Sequence, residues 1–295
     1  MPSTDDPSID IAHLRTWIGK STEESDVVSA RLVAAFCSTL TPFLYSRGDD
    51  VVPLGLHWCL ATPHAPFAEL QVDGHHRSDA LLPPVPLPLR MWAGGEIEML
   101  AAFHVGDTVL RRSVVTDVEL KMGKAGPLCF VRLQHEYLSR GSRLMVRERQ
   151  DIVYRNKTSP APKTASIYPD SPCGMTPASA LAWQITADPR LLFRYSALTF
   201  NAHRIHYDYP YATGAEGYAG LVVHGPLQAT LLLNIAATLM GRAPSHLVYR
   251  GLAPLIAGPP FTAAMQSVDL GAGNGVCWIQ SSTGSITMRA EAVWT

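Results

Sequence analysis

An α+β chain made of two antiparallel sheets, each wrapped around a central helix, is the fold class that this sequence predicts. Three observations carry it. The stretch from Pro226 to Met240 has helical punctuation and is apolar almost all the way round, and a helix of that kind must be covered by other structure. Runs with alternation and β-branched residues follow it, and similar runs close the first half of the chain, as antiparallel strands require. Between the halves lies Asn156 to Pro172 (NKTSPAPKTASIYPDSP), rich in proline, serine and threonine and without hydrophobic periodicity, which is how a linker reads.

In the first half, Val27 to Leu40 has helical spacing, and Asp107 to Lys121, Leu128 to Ser139 and Arg143 to Tyr154 read as a meander of strands. In the second, Leu191 to Phe200 reads as a strand. The helix from Pro226 is opened by Gly225-Pro226 and stopped by Gly241 and Pro244. Strands are expected over His246 to Leu252, Phe261 to Leu270, Val276 to Ser282 and Ile286 to Trp294. A buried helix followed by a meander thus occurs twice, which divides the chain into units 1–155 and 175–295 joined by 156–174. No repeat is visible in the residues themselves, so this duplication rests on element order.

At 295 residues with 47% apolar and 17% charged side chains, the chain has the composition of a globular protein with a large core. A formal net charge of -1 creates no field that would gather nucleic acid or a membrane surface. The partner is expected to be a small molecule, with any phosphate held by local basic residues. The acidic start MPSTDDPSID does not read as a secretory or transit signal. The longest apolar run, around Leu231 to Met240, is shorter than the roughly 20 residues a bilayer requires. Five scattered cysteines without a CxxC pair suggest neither a disulfide framework nor structural zinc, so a cytoplasmic location is expected.

The chemistry concentrates in Asn201-Ala202-His203-Arg204-Ile205-His206-Tyr207-Asp208 and in His224-Gly225, eighteen and nineteen residues beyond His206. Adding water to a 2-enoyl thioester needs a donor for the thioester oxygen, a group that positions water at C3 and a proton carrier for C2. His206 can carry protons because imidazole titrates at about pH 6.5, whereas the amide of Asn201 can only orient water. Gly225 stands where the buried helix begins, and a helix start offers unpaired N–H groups and partial positive charge. Asp208 before Tyr209-Pro210 is expected to cap a short helix.

These residues resemble the MaoC-like hydratases and dehydratases of the hot-dog fold, whose motif reads G-D-x-N-P, an apolar residue and H, then H-G at the start of the central helix. Asn201 falls on the family's catalytic aspartate, His206 on its catalytic histidine and Gly225 on its oxyanion-hole glycine. Asn201 for Asp and Arg204 for Pro are departures that match one branch, the type 2 hydroxyacyl-thioester dehydratases and mesaconyl-C4-CoA hydratases. Their stretch is similar to Ser196 to Asp208 here. The resemblance extends through Glu216-Gly217-Tyr218, Leu221 to Pro226, Arg90-Met91-Trp92-Ala93-Gly94-Gly95 and the hairpin from Lys121 to Glu136.

What the resemblance implies is a double hot-dog fold with its active site in the second half only. The first half would lack catalytic residues and widen the tunnel for the acyl group. It also implies an acyl-CoA hydratase or dehydratase, a hydro-lyase acting on a short branched or dicarboxylic C5 acyl-CoA such as mesaconyl- or itaconyl-CoA. Asn201, His206 and Gly225 would be catalytic, and Trp92, Arg90, Arg204 and His224 would meet the substrate. No metal and no cofactor beyond the substrate's own coenzyme A is expected, and a homodimer is left open.

Bland readings stand beside these. His203, His206 and His224 could be ordinary packed histidines or, less readily, metal ligands. Trp92 could simply fill the core. Arg90, Arg194, Arg204, Lys121 and Lys124 suit carboxylate or phosphate recognition, yet most such charges face water. A hot-dog thioesterase would need an acid on the central helix, and Pro226 to Met240 contains none. A noncatalytic acyl-CoA-binding module remains the alternative of a different class.

Overall fold

The computed structural model describes residues 9–46, 48, 51–77, 81–123, 126–156, 179–269 and 273–295. The proposed linker, apart from Asn156, falls outside them, as do Lys124 and Cys173. One ten-stranded antiparallel sheet runs through the whole molecule in the order β1-β3-β4-β5-β2-β7-β10-β9-β8-β6. The first five strands are β1 (Ser21–Val27), β2 (Leu89–Met99), β3 (Thr108–Gly123), β4 (Gly126–Ser139) and β5 (Leu144–Arg155). The other five are β6 (Ser179–Thr186), β7 (His246–Gly251), β8 (Pro260–Asp269), β9 (Asn274–Gln280) and β10 (Ile286–Val293). Each set keeps to its own side of the seam between β2 and β7, where Gly94 faces Arg250 and Glu98 faces His246.

The helices are α1 (Ile11–Arg15), α2 (Ala30–Leu40), α3 (Pro189–Leu198), α4 (Tyr209–Gly214) and α5 (Gly225–Met240). α5 is the central helix over which β6 to β10 curl, whereas α2, with only Phe36 and Leu40 buried, packs against α3. Every residue of α5 from Leu227 to Ala237 is buried, so its apolar composition answers to a core on all sides. Asn234, one of the buried polar residues in that run, donates to the Leu54 carbonyl at 3.1 Å and accepts from the Tyr45 amide at 3.0 Å. It fastens the second half's helix to first-half backbone, and a buried amide is tolerated because its hydrogen bonds are made.

The meander strands fall close to their expected positions, and the helix expected from Val27 begins instead at Ala30 behind the β1 strand. One element is corrected outright. Leu191 to Phe200, read as a strand, lies in the helix α3 and the turn after it. Asp188 accepts from the amides of Arg190 and Leu191, Pro189 occupies the first turn, and Leu192, Tyr195 and Ser196 turn a single face inward. That spacing is helical; a short apolar run alone cannot distinguish the two.

The main core is shared by both halves: Phe36, Leu54, Leu56, Ile97 and Tyr137 pack in one cluster with Leu227, Leu231 and Tyr249. A second cluster fills the far end of the first-half sheet beneath α1 and Leu81, Leu82 and Leu87. No described helix is long and apolar enough to cross a membrane.

Candidate active site

The end of α3 launches the loop that carries the motif. Asn201 donates its backbone N–H to the Ser196 carbonyl at 2.9 Å, and its side-chain oxygen accepts from the His203 amide at 2.9 Å. This leaves the NH₂ of the carboxamide as a donor toward the cavity that Asn201 lines. A short 3₁₀ turn, Arg204–His206, then swings His206 inward.

His206 lies 2.7 Å through Nδ1 from the Val222 carbonyl. A carbonyl can only accept, so Nδ1 carries the hydrogen and Nε2 holds the free lone pair. The ring stacks on His224 with centroids 3.6 Å apart and planes 18° from parallel. His224 in turn meets Ser196 Oγ through Nε2 at 2.8 Å. Two stacked, buried imidazoles carry a proton only at a cost: burial pushes His206 down to about 3, assisted by the charge of His203, and drives His224 well below its ordinary value.

A second tier lies against this pair. His203 Nε2 is 3.0 Å from Glu216 Oε1, both side chains being buried. The His203 ring is 5.6 Å edge-on from His206 and 4.1 Å from His75, which is held by Asp73 at 2.8 Å. Asp73, His75 and His203 bring three ligand-type atoms within 4.8 Å of one another, closer than the sequence spacing alone suggested. The nitrogens of His75 and His203 just described already have carboxylate partners. The tier therefore reads as a hydrogen-bonded brace behind His206.

Gly225 is the first residue of α5, and the capping position before it, His224, makes no side-chain cap bond. A Cβ on Gly225 would stand 2.5 Å from Trp92 Cε3. Glycine here is thus required by the indole that crosses from β2, and that indole is itself stacked on Tyr249 at 4.6 Å. Asn201, His206, His224, Gly225, Trp92 and Arg90 all line one cavity of about 1450 Å³.

Arg204 takes a different place from the one expected of a substrate-binding residue. It donates to Asp208 Oδ2 at 2.6 Å and to the Val72 carbonyl at 3.0 Å, lies over the Tyr211 ring, and does not line that cavity. Its partner Asp208 caps α4 through the Tyr211 amide at 3.0 Å, as the sequence indicated. Arg194 reaches the Ser38 carbonyl on the surface, whereas Lys121 lines the cavity. Asp73, His75, Ser196 and Glu216 were not singled out from sequence. The first two lie about 130 residues before His203, and only the fold brings them together.

The chain is similar to several known proteins along most of its length. The family model for hydroxyacyl-thioester dehydratase type 2 matches residues 55–257. The mesaconyl-C(4)-CoA hydratase of Chloroflexus aurantiacus is 39% identical over 247 residues, covering 83% of this chain and 86% of that protein. The mitochondrial hydroxyacyl-thioester dehydratase type 2 of Schizosaccharomyces pombe is 26% identical over 257 residues, covering 78% of this chain and 80% of its own. Among solved structures, a MaoC-like dehydratase superposes with a TM-score of 0.69 at 14% identity, over 95% of this chain and 99% of the other. A Mycobacterium tuberculosis protein described as a double hotdog fold gives 0.56 at 16% identity, over 94% and 96%. A site assembled from Asn201, His206 and an open helix start, in a chain matched over these lengths, identifies the protein as a member of the type 2 hydroxyacyl-thioester dehydratase family of MaoC-like hot-dog proteins.

Proposed function

We propose that the protein adds water reversibly across the double bond of a short branched or dicarboxylic 2-enoyl-CoA, with Asn201, His206 and Gly225 as its catalytic residues. As a member of this family it is a hydro-lyase acting on acyl thioesters. The observation that carries the residue assignment is the His206 hydrogen bond to the Val222 carbonyl, which leaves Nε2 as a proton acceptor in the cavity that Asn201 and Gly225 also line.

In the hydration direction the thioester oxygen accepts from the Gly225 N–H at the positive end of α5. Water is held by the Asn201 carboxamide and by Nε2. As its oxygen attacks C3, the proton passes to Nε2 and the electron pair of the double bond moves onto the thioester as an enolate. The imidazolium then returns that proton to C2 on the same face, so addition is syn and the enzyme is regenerated. Because His206 is buried and uncharged at rest, its protonated form is short-lived and gives the proton up readily. The carboxylates of Glu216 and Asp73 stand one histidine removed, through His203 and His75. They orient the brace and do not touch the water.

The absence of any acidic residue on α5 argues against a hot-dog thioesterase. The test is direct: mesaconyl-C4-CoA and crotonyl-CoA are each mixed with the protein, and the enoyl-thioester absorbance is followed. Loss of absorbance with release of no free thiol supports hydration. Free thiol would indicate hydrolysis, and an unchanged spectrum with both thioesters would reject the assignment.

A further inference from the structure

The inner face of the first-half sheet carries a polar strip where hydrocarbon would be expected. In register across three strands stand Arg111 and Ser113 on β3, Tyr137 and His135 on β4, and Glu148 with Gln150 on β5. Glu148 is fully buried. Its Oε1 accepts from Trp58 Nε1 at 2.7 Å, from Gln150 at 2.8 Å and from the hydroxyl of Tyr249, across the seam, at 3.3 Å. Burial lifts the carboxyl to about 7 despite these donors.

Polar atoms buried in this region without a hydrogen-bond partner include Arg111 Nε, Trp92 Nε1 and Glu148 Oε2, with His57 Nε2 beside Tyr137. Folded proteins retain few such atoms, and each bears its full loss of hydration. Arg111 and Trp92 line the cavity already described, which also reaches Trp58, Tyr137 and Gln150, the last bonded to Glu148 behind it. From the start of α5 the path is short. Gly225 touches Trp92, and Trp92 meets Trp58 edge-on at 6.0 Å.

A hydrocarbon tail laid there would leave the Arg111 and Trp92 donors unsatisfied. The Arg111 Nε–H and the Trp92 indole N–H are donors without an acceptor, although Arg111 also meets the Tyr137 hydroxyl and the charge of Glu148. Such a pocket calls for an acceptor that can carry charge. We propose that Arg111, with Trp92, forms a subsite for the terminal carboxylate of the acyl chain, so that the substrate is the monothioester of a dicarboxylic acid. The first half, which holds none of the proposed catalytic residues, then selects the acyl group. This deepens the hydratase reading and rests on it for the position of the thioester.

Binding of saturated CoA thioesters tests the subsite without any turnover. Calorimetry on the intact protein would compare succinyl- with butyryl-CoA, glutaryl- with valeryl-CoA and adipyl- with hexanoyl-CoA. At one chain length or more, the carboxylate-ended member should bind about ten-fold tighter or better. Arg111→Met should erase that difference, and Arg111→Lys, used if the first variant does not fold, should reduce it several-fold because the two-pronged guanidinium is lost. Equal or tighter binding of the methyl-ended partner at every length, or a preference that survives both variants, overturns the proposal. A carboxylate preference without hydration of any enoyl-CoA would sink the proposed reaction and leave the subsite standing. Hydration without the preference would do the reverse.

Discussion

The helix α2 of the first half and the helix α5 of the second begin in opposite ways. α2 is closed at its start: Ser29 Oγ accepts from the Leu32 amide at 3.1 Å. α5 has no side-chain cap, its second residue is a proline, and its first is a glycine pressed against Trp92. A capped start has already used the donor that an anion would need. Under the proposed mechanism, the unfinished start of α5 beside His206 is what suits the second half to thioester chemistry. The first half caps α2 and holds the unpaired atoms of Trp92, Arg111 and Glu148 on its strands.

The sharpest way to break this contrast is at the proton carrier. His206→Ala should lower hydration of a 2-enoyl-CoA by about 10³-fold, within the usual range for general acid–base catalysis. Asn201→Ala, which removes the water-orienting NH₂ together with the acceptor of the His203 N–H, should cost about 10- to 100-fold. Equal turnover in His206→Ala and wild type would remove the role assigned to that ring.

Acid is the next largest effect, and it falls on both halves. His57 and His135 in the first half and His206 in the second are held at about 3 by burial, against about 6.5 in an unfolded chain. Their folded values lie below the unfolded ones, so the unfolded chain takes up protons that the folded chain refuses. Stability is therefore full above about pH 6.5 and falls as the pH drops toward 4, by about 1.4 kcal/mol per pH unit for each histidine. A melting temperature that stays flat from pH 7 to 5 would show that these rings are solvated.

A smaller effect is expected at the open helix start. Gly225→Ala forces a methyl group into the Trp92 ring, and overpacking of this kind costs about 1–3 kcal/mol. Adding Trp92→Leu should restore the melting temperature without restoring activity, because the wall beside the thioester is lost. Smallest is Ser29→Ala, which should destabilise α2 by about 1 kcal/mol and leave kcat/KM as it was. A kinetic defect there would mean that the first helix start also takes part.

Much of the fold was legible because α5 advertises itself. Gly225-Pro226 and Gly241 bound a segment too apolar for any surface, and the strands around it alternate. α3 was misread because Leu191 to Phe200 is a short apolar run, and the arbiter was the Asp188-Pro189 cap just before it. β1, with its STEESDV sequence, carries little apolar signal and exists by pairing with β3, from Ser21 against Val114 to Val27 against Thr108. Asn201, His206 and Gly225 could be read together because they lie within 25 residues of one another. His75 and Glu148 could not. Their chemistry comes from burial and from partners more than 80 residues away, His203 for one and Trp58 for the other.

The seam between β2 and β7 carries a further consequence. Because ladder bonds join Gly94–Glu98 to His246–Arg250, neither half possesses two natural sheet edges of its own. A chain cut between them would bare amides and carbonyls along β7 that ask for another strand. A liberated second half should therefore recruit a copy of itself across that edge, or aggregate, and any pocket it rebuilt would lack the indole and guanidinium that only the first half can donate.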